Sequence, residues 1–239
     1  MAYNTTDSTD FNLDLTDVVE EAFERAGGEV RSGYDLRAAR RSLNLMLIEW
    51  VNRGLNFWTI DSSTIPMVSG TATYDLPLDT VDLLDFVIRT GTGTAQTDIY
   101  INRISSSQYA NIPNKNSPGK PLQVWVERRT GANNSAGVAQ PPRINVWPVP
   151  DVSSTYTFVY WRMRRIQDAG NGANGQDVPF RFLPPLVAGL AYYIALKTPG
   201  AEQRAVALKA VYEEQYRLAA EEDRDRSTLR LVPAYPGIM

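Results

Sequence analysis

Two stretches near the start of the chain have the hydrophobic spacing of amphipathic helices. In both, apolar residues recur three and four positions apart, which is the period of a helix with one buried face. Asp14 or Thr16 is placed to cap the first helix, which ends at Gly27-Gly28, and the second ends at Arg53-Gly54. The predicted buried stripes are Leu15, Val18, Val19, Ala22, Phe23 and Ala26 in the first helix and Leu36, Ala39, Leu43, Met46, Leu47 and Trp50 in the second.

From residue 55 to about 161 the pattern changes to short runs rich in β-branched and aromatic residues, separated by prolines and glycines. Apolar and polar residues alternate in 123–126 and 156–161, which predicts antiparallel strands with one buried and one wet face. The segment from Arg129 to Pro142 is rich in Gly, Asn and Ala and is predicted to be a long hairpin tip. The predicted strands are 64–68, 72–76, 83–89, 99–101, 122–127, 143–147 and 155–161.

Helical periodicity returns after a Gly- and Asn-rich connector at 168–177. Pro184 and Pro185 open a third helix that is apolar on nearly every side and must be enclosed. A fourth helix runs from Ala201 to about Asp225, and its last turns are polar all round. Its predicted inward stripe is Ala205, Leu208, Tyr212, Tyr216 and Ala219.

These patterns predict an α+β fold in which the N- and C-terminal helices form a four-helix bundle with an antiparallel β region inserted between them. The predicted domains are a bundle of residues 1–56 and 178–226, a β region of 57–177, and an extended docking tail of 227–239. The tail is apolar without periodicity, so it is either pinned against the protein's own surface or offered to a partner.

The composition narrows the possible chemistry. The 239 residues are 43% hydrophobic with a net charge of -3, which is typical of a folded protein and gives no global attraction to nucleic acid or anionic lipid. The absence of Cys and His excludes thiolate, Ser-His and zinc-cysteine sites. The first 24 residues hold seven acids and no Lys or Arg, unlike a signal peptide, and the apolar stretch 183–196 is too short to span a bilayer. We expect no cofactor and no membrane partner.

An enzyme would have to use carboxylates such as Asp79, Asp82 and Asp85. No calcium-loop motif accompanies them, and turn chemistry around Asp75-Leu-Pro-Leu-Asp79 is the favoured interpretation. The glycines at 170–175 lack the Lys-Ser/Thr continuation of a phosphate loop. We therefore expect a protein that is not an enzyme.

Charge is distributed unevenly along the β region. Residues 101–165 hold nine Lys and Arg against two acids, and residues 61–100 hold six acids against one Arg. Solvated strand faces are one interpretation, and polar docking to neighbouring subunits or weak contact with passing nucleic acid is another. In a contact between subunits, the acidic and basic segments could pair with each other. Trp125, Trp147, Tyr160 and Trp161 lie among the basic residues, which leaves a nucleic-acid- or glycan-binding module as an alternative function.

The order of the motifs resembles the head-to-tail adaptor proteins of short-tailed bacteriophages, of the tail-tubular type, over nearly the whole chain. The motifs that carry the resemblance are Leu47-Ile-Glu-Trp50, Arg53-Gly-Leu-Asn-Phe-Trp58, Tyr74-Asp-Leu-Pro77, Pro184-Pro185-Leu, Ala191-Tyr-Tyr-Ile-Ala195, Tyr212-Glu-Glu-Gln-Tyr216 and Glu221-Glu-Asp-Arg-Asp-Arg226.

The resemblance implies a structural virion protein in the tail neck, made in the host cytoplasm. It implies a dodecameric homo-oligomeric ring between the portal and the tail nozzle, around a channel through which double-stranded DNA passes without specific binding. The residues assigned to portal binding are Arg224, Arg226, Leu229, Arg230, Leu231, Val232 and Tyr235. Those assigned to an inter-subunit or nozzle contact are Arg128, Arg129, Asn133, Asn134 and Arg143.

Overall fold

A computed structural model of the protein describes residues 13–54, 57–129, 132–134, 136–170 and 176–224. These residues form five α-helices and eight strands. The helices are α1 (Leu15–Ala26), α2 (Gly33–Arg53), α3 (Ser106–Ala110), α4 (Leu183–Ala195) and α5 (Glu202–Glu222). The strands are β1 (Ile60–Pro66), β2 (Thr73–Asp75), β3 (Thr80–Thr90), β4 (Thr97–Tyr100), β5 (Asn102–Arg103), β6 (Gln123–Glu127), β7 (Arg143–Trp147) and β8 (Tyr156–Arg164).

The elements divide into two compact units. The helical unit contains the described residues up to Met46 and from Ala169 onward, and the β unit is Leu47–Asp168. Helix α2 begins in the helical unit, and its residues from Leu47 onward belong to the β unit.

Helix α1 forms where its sequence predicts it. The Asp14 carboxylate accepts a hydrogen bond from the backbone N–H of Asp17 at 2.9 Å, and the Asp17 carboxylate accepts one from the N–H of Asp14. Gly27 ends the helix in the left-handed conformation, with a φ of 86°. The buried residues are Leu15, Val18, Val19, Ala22 and Ala26, which confirms the predicted stripe except at Phe23, which is half-buried.

Helix α4 is enclosed, as its apolar composition predicts. Every residue from Pro185 to Ala191 is buried, and the helix packs along both α1 and α5. Gly189 lies at a close approach, because a β-carbon there would sit 2.7 Å from the Tyr212 ring of α5 and would overlap the sulfur of Met46 on α2. The missing side chain at 189 therefore sets how closely these helices approach.

The predicted four-helix bundle with an inserted antiparallel β region is wrong. Among the described residues, α4 lies along α1 and α5, but α2 lies along none of the three for its length. It meets α4 at Met46, and its buried Ser42 hydroxyl accepts a hydrogen bond from the Lys197 ammonium at 2.6 Å. Helical periodicity shows that α2 has a buried face, but the same periodicity is produced whichever element covers that face.

The β unit is built from two four-stranded sheets rather than one antiparallel region. One sheet has the order β1-β8-β3-β4 and is antiparallel throughout. The other has the order β2-β7-β6-β5, and its β5–β6 pair is parallel. Residues from both sheets share one core, which makes the unit a β-sandwich. Its buried members are Met67, Leu76, Leu83, Phe86, Ile88, Ile101, Val124, Val126, Ile144, Val146, Phe158 and Tyr160.

Replacing Gly189 by Ala should destabilise the helical unit. The new methyl group meets Tyr212 and Met46, and overpacking of this kind costs about 1–3 kcal/mol, which exceeds the gain of about 1 kcal/mol in helix propensity. Gly33→Ala is the matched control, because the nearest atom to a β-carbon at this helical glycine is 3.7 Å away on the flexible side chain of Arg37. Urea unfolding of both variants checks this, and equal stability of Gly189→Ala and the unsubstituted protein would contradict the packing described.

Candidate assembly surfaces

The arginines assigned to an inter-subunit or nozzle contact flank the β6–β7 hairpin and pair with acids of the same chain. Arg128, just after β6, forms an ion pair with Asp82 of β3. The Nε atoms of Arg129 and Arg143 each lie 3.0 Å from an oxygen of Glu127, so one carboxylate is shared by two cations. Arg128 therefore joins the hairpin to β3, while Arg129 and Arg143 converge on Glu127 within the hairpin.

The hairpin tip is organised by Asn134. Its side-chain oxygen accepts hydrogen bonds from the backbone N–H groups of Ala136 at 2.9 Å and Val138 at 3.0 Å. Asn133 forms an antiparallel bridge with Ala139. Both asparagines are exposed, and so is Val138, whose apolar side chain faces solvent beside them. The tip is a surface that can contact another chain, and the Asn134 amide oxygen already serves to shape it.

Asp82 joins the two sheets of the β-sandwich. It lies on β3 between two register shifts, and irregularities of this kind re-aim strand side chains. Its carboxylate accepts a hydrogen bond from Arg103 of β5 at 2.8 Å and also pairs with Arg128. Burial alone would raise the pKa of Asp82, but hydrogen bonds from Arg103 and Arg128 outweigh it and lower the pKa. The carboxylate is thus held ionised as an ion-pair partner, which is a poor state for a general acid at neutral pH.

Arg162 is the most enclosed cation of the β unit, with 8% of its surface exposed. It lies on β8 opposite Asp61 of β1, whose carboxylate accepts hydrogen bonds from Nε at 2.7 Å and Nη2 at 3.0 Å. Nη1 donates to Asp79 at 2.6 Å and to the Thr80 hydroxyl at 2.8 Å. Burial would raise the pKa of Asp79, but the hydrogen bond and charge of Arg162 dominate and lower it.

The uneven charge along the sequence is largely paired within the β unit. Asp61, Asp79 and Asp82 of the acidic segment bind arginines of the basic segment, and Asp98 binds Arg89 through two hydrogen bonds of 2.8 Å. The sequence predicted that these segments could pair across adjacent subunits. In the structure, these acids already have partners in their own chain. Four of the six acids in this segment are thus paired within the subunit.

The aromatic side chains among the basic residues mostly pack against protein. Trp125 lies against Tyr109 with ring centroids 5.2 Å apart, and the Trp147 indole N–H donates to the Asn114 carbonyl at 2.9 Å. Tyr160 is buried in the sandwich core. Trp161 remains exposed on the outer side of β8. These contacts give little support to a base-stacking or glycan-stacking platform, which needs several accessible ring faces in a row.

The C-terminal end of α5 is fixed on the helical unit and open on its outer side. The buried Asp223 carboxylate accepts a hydrogen bond from Arg181 at 3.0 Å, and Phe182 packs edge-on against Tyr216. The outer side forms a recess of about 570 Å³ bordered by side chains of the last four turns. Its lining residues are Ala210, Glu213, Glu214, Tyr216, Arg217, Ala220, Glu221 and Arg224.

The residues assigned to portal binding are only partly described. Arg224 is exposed beside the α5 recess, 4.0 Å from Glu221. The remaining six lie outside the described residues, as does the rest of the tail 227–239. They are Arg226, Leu229, Arg230, Leu231, Val232 and Tyr235. The chain continues towards them from a helix end that Arg181 and Asp223 anchor.

Among the residues that the structure describes, no group of three Asp or Glu side chains is placed to hold a metal ion. None of the described helices has the length and apolar character needed to cross a membrane.

Replacing Arg162 by Met should lower the free energy of unfolding of the β unit by about 1–2 kcal/mol. This loss is smaller than that for breaking a fully buried ion pair, because the Asp61 and Asp79 carboxylates remain partly exposed to water. Because the folded pKa of Asp79 lies below its ordinary 3.8, the stabilisation is complete above that pH and is lost as the pH falls through the folded value. Urea unfolding at pH 3–7 should show a shallower acid dependence in the variant. Arg89→Met, at an exposed pair, is the control with a smaller loss, and equal losses would contradict the assignment.

Comparison with known proteins places this chain among adaptors. A family model described as SU10 adaptor protein matches residues 13–234 of the 239. A search among curated proteins finds no match. The family match begins at the first described residues and includes both units and most of the tail. It confirms the resemblance indicated by the order of the motifs, and the chain belongs to the SU10 adaptor protein family, which consists of structural adaptors of bacteriophages.

Proposed function

We propose that this protein is the head-to-tail adaptor of its phage, a ring of identical subunits between the portal and the tail nozzle. The ring, dodecameric by resemblance, surrounds a channel for double-stranded DNA in the neck of the virion. The subunits are made in the host cytoplasm and join the particle there. The observation that carries the proposal is the surface of α5, considered together with the family match over residues 13–234.

Helix α5 packs on its own unit along one face. Its fully buried residues, Ala205, Tyr212 and Ala219, are seven positions apart, and Leu208 and Tyr216 are half-buried beside them. The other faces carry the exposed apolar residues Val206, Val211 and Leu218. Exposed apolar side chains along one long helix favour contact with another polypeptide.

The portal contact is proposed at the end of α5 and the tail that follows. Arg224 borders the α5 recess, and it is followed in sequence by Arg226, Arg230 and the apolar tail residues Leu229, Leu231, Val232 and Tyr235. Apolar side chains of an extended segment fill pockets of a partner, while arginines beside them pair with its acids. The Arg181–Asp223 pair supports this proposal because it anchors the end of α5, which the segment follows in sequence.

The β6–β7 hairpin is proposed as the contact with a neighbouring subunit or with the nozzle. Arg128, Arg129 and Arg143 brace the base of the hairpin, and the exposed Asn133 and Asn134 lie at its tip. Since these arginines are paired with Asp82 and Glu127, the hairpin attracts DNA phosphates only weakly. Weak attraction suits a channel through which the genome must pass quickly during ejection.

Deleting residues 227–239 should abolish or strongly reduce binding to the phage's own portal protein, because the apolar tail and its arginines are removed. Native mass spectrometry and negative-stain electron microscopy of portal–adaptor mixtures measure this, and the full chain should add a ring to the portal. Deletion of residues 1–12 is the matched control, since these residues precede the family match. Undiminished portal binding without residues 227–239 contradicts the tail assignment, and no portal binding by the full chain contradicts the proposed function itself.

A further inference from the structure

Helix α1 presents acids that have no partner among the described residues. Its apolar stripe is buried, while Glu20 and Glu24 are exposed one turn apart. Glu21 pairs with Arg25 at 2.7 Å, which leaves that arginine occupied. Within the part of the chain that the structure describes, neither Glu20 nor Glu24 forms an ion pair or a side-chain hydrogen bond. Two carboxylates at this spacing repel each other unless cations lie opposite them.

Helix α2 presents the opposite charge with the same spacing. Arg37 and Arg41 are exposed one turn apart, and neither has an acidic partner among the described residues. The acid nearest in sequence, Asp35, is occupied, because its carboxylate accepts hydrogen bonds from the Ser32 hydroxyl at 2.9 Å and the Ser32 N–H at 3.0 Å. Tyr34 and Leu45, 63% and 58% exposed, continue the same row.

The two rows are geometrically matched. Residues four positions apart in a helix are separated by about 6 Å along its axis. The Glu20–Glu24 and Arg37–Arg41 spacings are therefore equal, so that both ion pairs can form at once when the two helices lie side by side. The arginines also border a recess of about 470 Å³ that can receive the carboxylates, lined by Tyr34, Arg37, Arg40, Arg41 and Asn44.

We infer that the Glu20–Glu24 row of one copy of this chain docks on the Arg37–Arg41 row of the next copy. This inference rests on the proposed function, in which identical subunits form a ring. The contact joins two different surfaces of the same unit, and such a heterologous contact closes into a ring when its rotation is an integral fraction of a turn. Tyr34 and Leu45 supply apolar area beside the ion pairs, and the charges fix orientation and register.

A second copy accounts for more of the surface than a nucleic acid does. A phosphate backbone would pair with Arg37 and Arg41 but would leave Glu20 and Glu24 without cations. A second copy carries both rows, so that it supplies arginines to Glu20 and Glu24 of one neighbour and carboxylates to Arg37 and Arg41 of the other.

Charge reversal tests the inference. One full-length variant, Glu20→Lys with Glu24→Lys, has two basic rows, and the other, Arg37→Glu with Arg41→Glu, has two acidic rows. Each alone should assemble at least tenfold less well than the unsubstituted protein in the presence of the phage's portal. An equimolar mixture should recover assembly to within about threefold, because unlike rows then meet at every contact when the two variants alternate. Native mass spectrometry and analytical ultracentrifugation measure assembly.

Matched controls separate the contact from general effects of charge. Glu29→Lys and Arg31→Glu reverse exposed charges between α1 and α2 that belong to neither row, and each should leave assembly unchanged. Circular dichroism and urea unfolding should show that all variants fold, since the four substituted residues are exposed. Raising the salt concentration should weaken assembly of the unsubstituted protein and of the mixture alike, since exposed charges are screened.

Three results would overturn the inference. The first is unchanged assembly of either reversed variant alone, and the second is a mixture that assembles no better than its components. The third is loss of salt-sensitive duplex DNA binding in Arg37→Glu with Arg41→Glu while rings persist, which would make nucleic acid the occupant. In each case the unsubstituted protein still forms rings on the portal, so the proposed function survives. Its own failure is recognised by the absence of any ring from the unsubstituted protein.

Discussion

The need to enclose α4 determines the organisation of the helical unit. A helix with no charged residue and an apolar surface on nearly every side is stable in water only when other elements surround it. Those elements come from opposite ends of the chain, α1 from the beginning and α5 from the end, so folding brings the two ends of the described sequence into one unit. Gly189 permits the close approach on which this packing depends. In sequence, the β unit lies between the two segments of the helical unit, and each of the two units is compact.

Local features of this fold could be predicted from the sequence, and the assembly of its elements could not. The Asp14 cap, the Gly27 stop and the α1 stripe are set by side chains within one or two turns, and strand β7 has the predicted limits. The packing of α2 depends on which distant segment covers its buried face. The periodicity of α2 itself does not identify that segment. The assignment to a four-helix bundle failed for that reason. Strand alternation likewise reveals burial but not pairing, so one antiparallel region was expected where two sheets form.

One missed element did have a readable signal. Helix α3 is only five residues long, too short for a periodicity argument, but Ser105 and Gln108 form a complete capping box at its start. The adjacent two-residue strand β5 carries no comparable signal, because its pairing with β6 is made by backbone groups. Arg103 of β5 nevertheless reaches Asp82 on the other sheet. An interaction between residues 21 positions apart, in different sheets, requires the tertiary structure before it can be recognised.

The candidate site differs from an enzyme site in how its charges are used. In the β unit, Arg162 and Asp82 are each surrounded by opposite charges of the same chain, so that these groups stabilise the subunit. In the helical unit, Glu20, Glu24, Arg37 and Arg41 are exposed without such partners among the described residues. Enzymes keep side chains with shifted pKa values beside a pocket. An adaptor instead leaves charged side chains unpaired where another chain supplies the opposite charge. Sequence reasoning identified uneven charge but located it in the β region, where strand pairing neutralises much of it. Only the contacts of individual side chains distinguish charges already paired in the fold from those left for assembly.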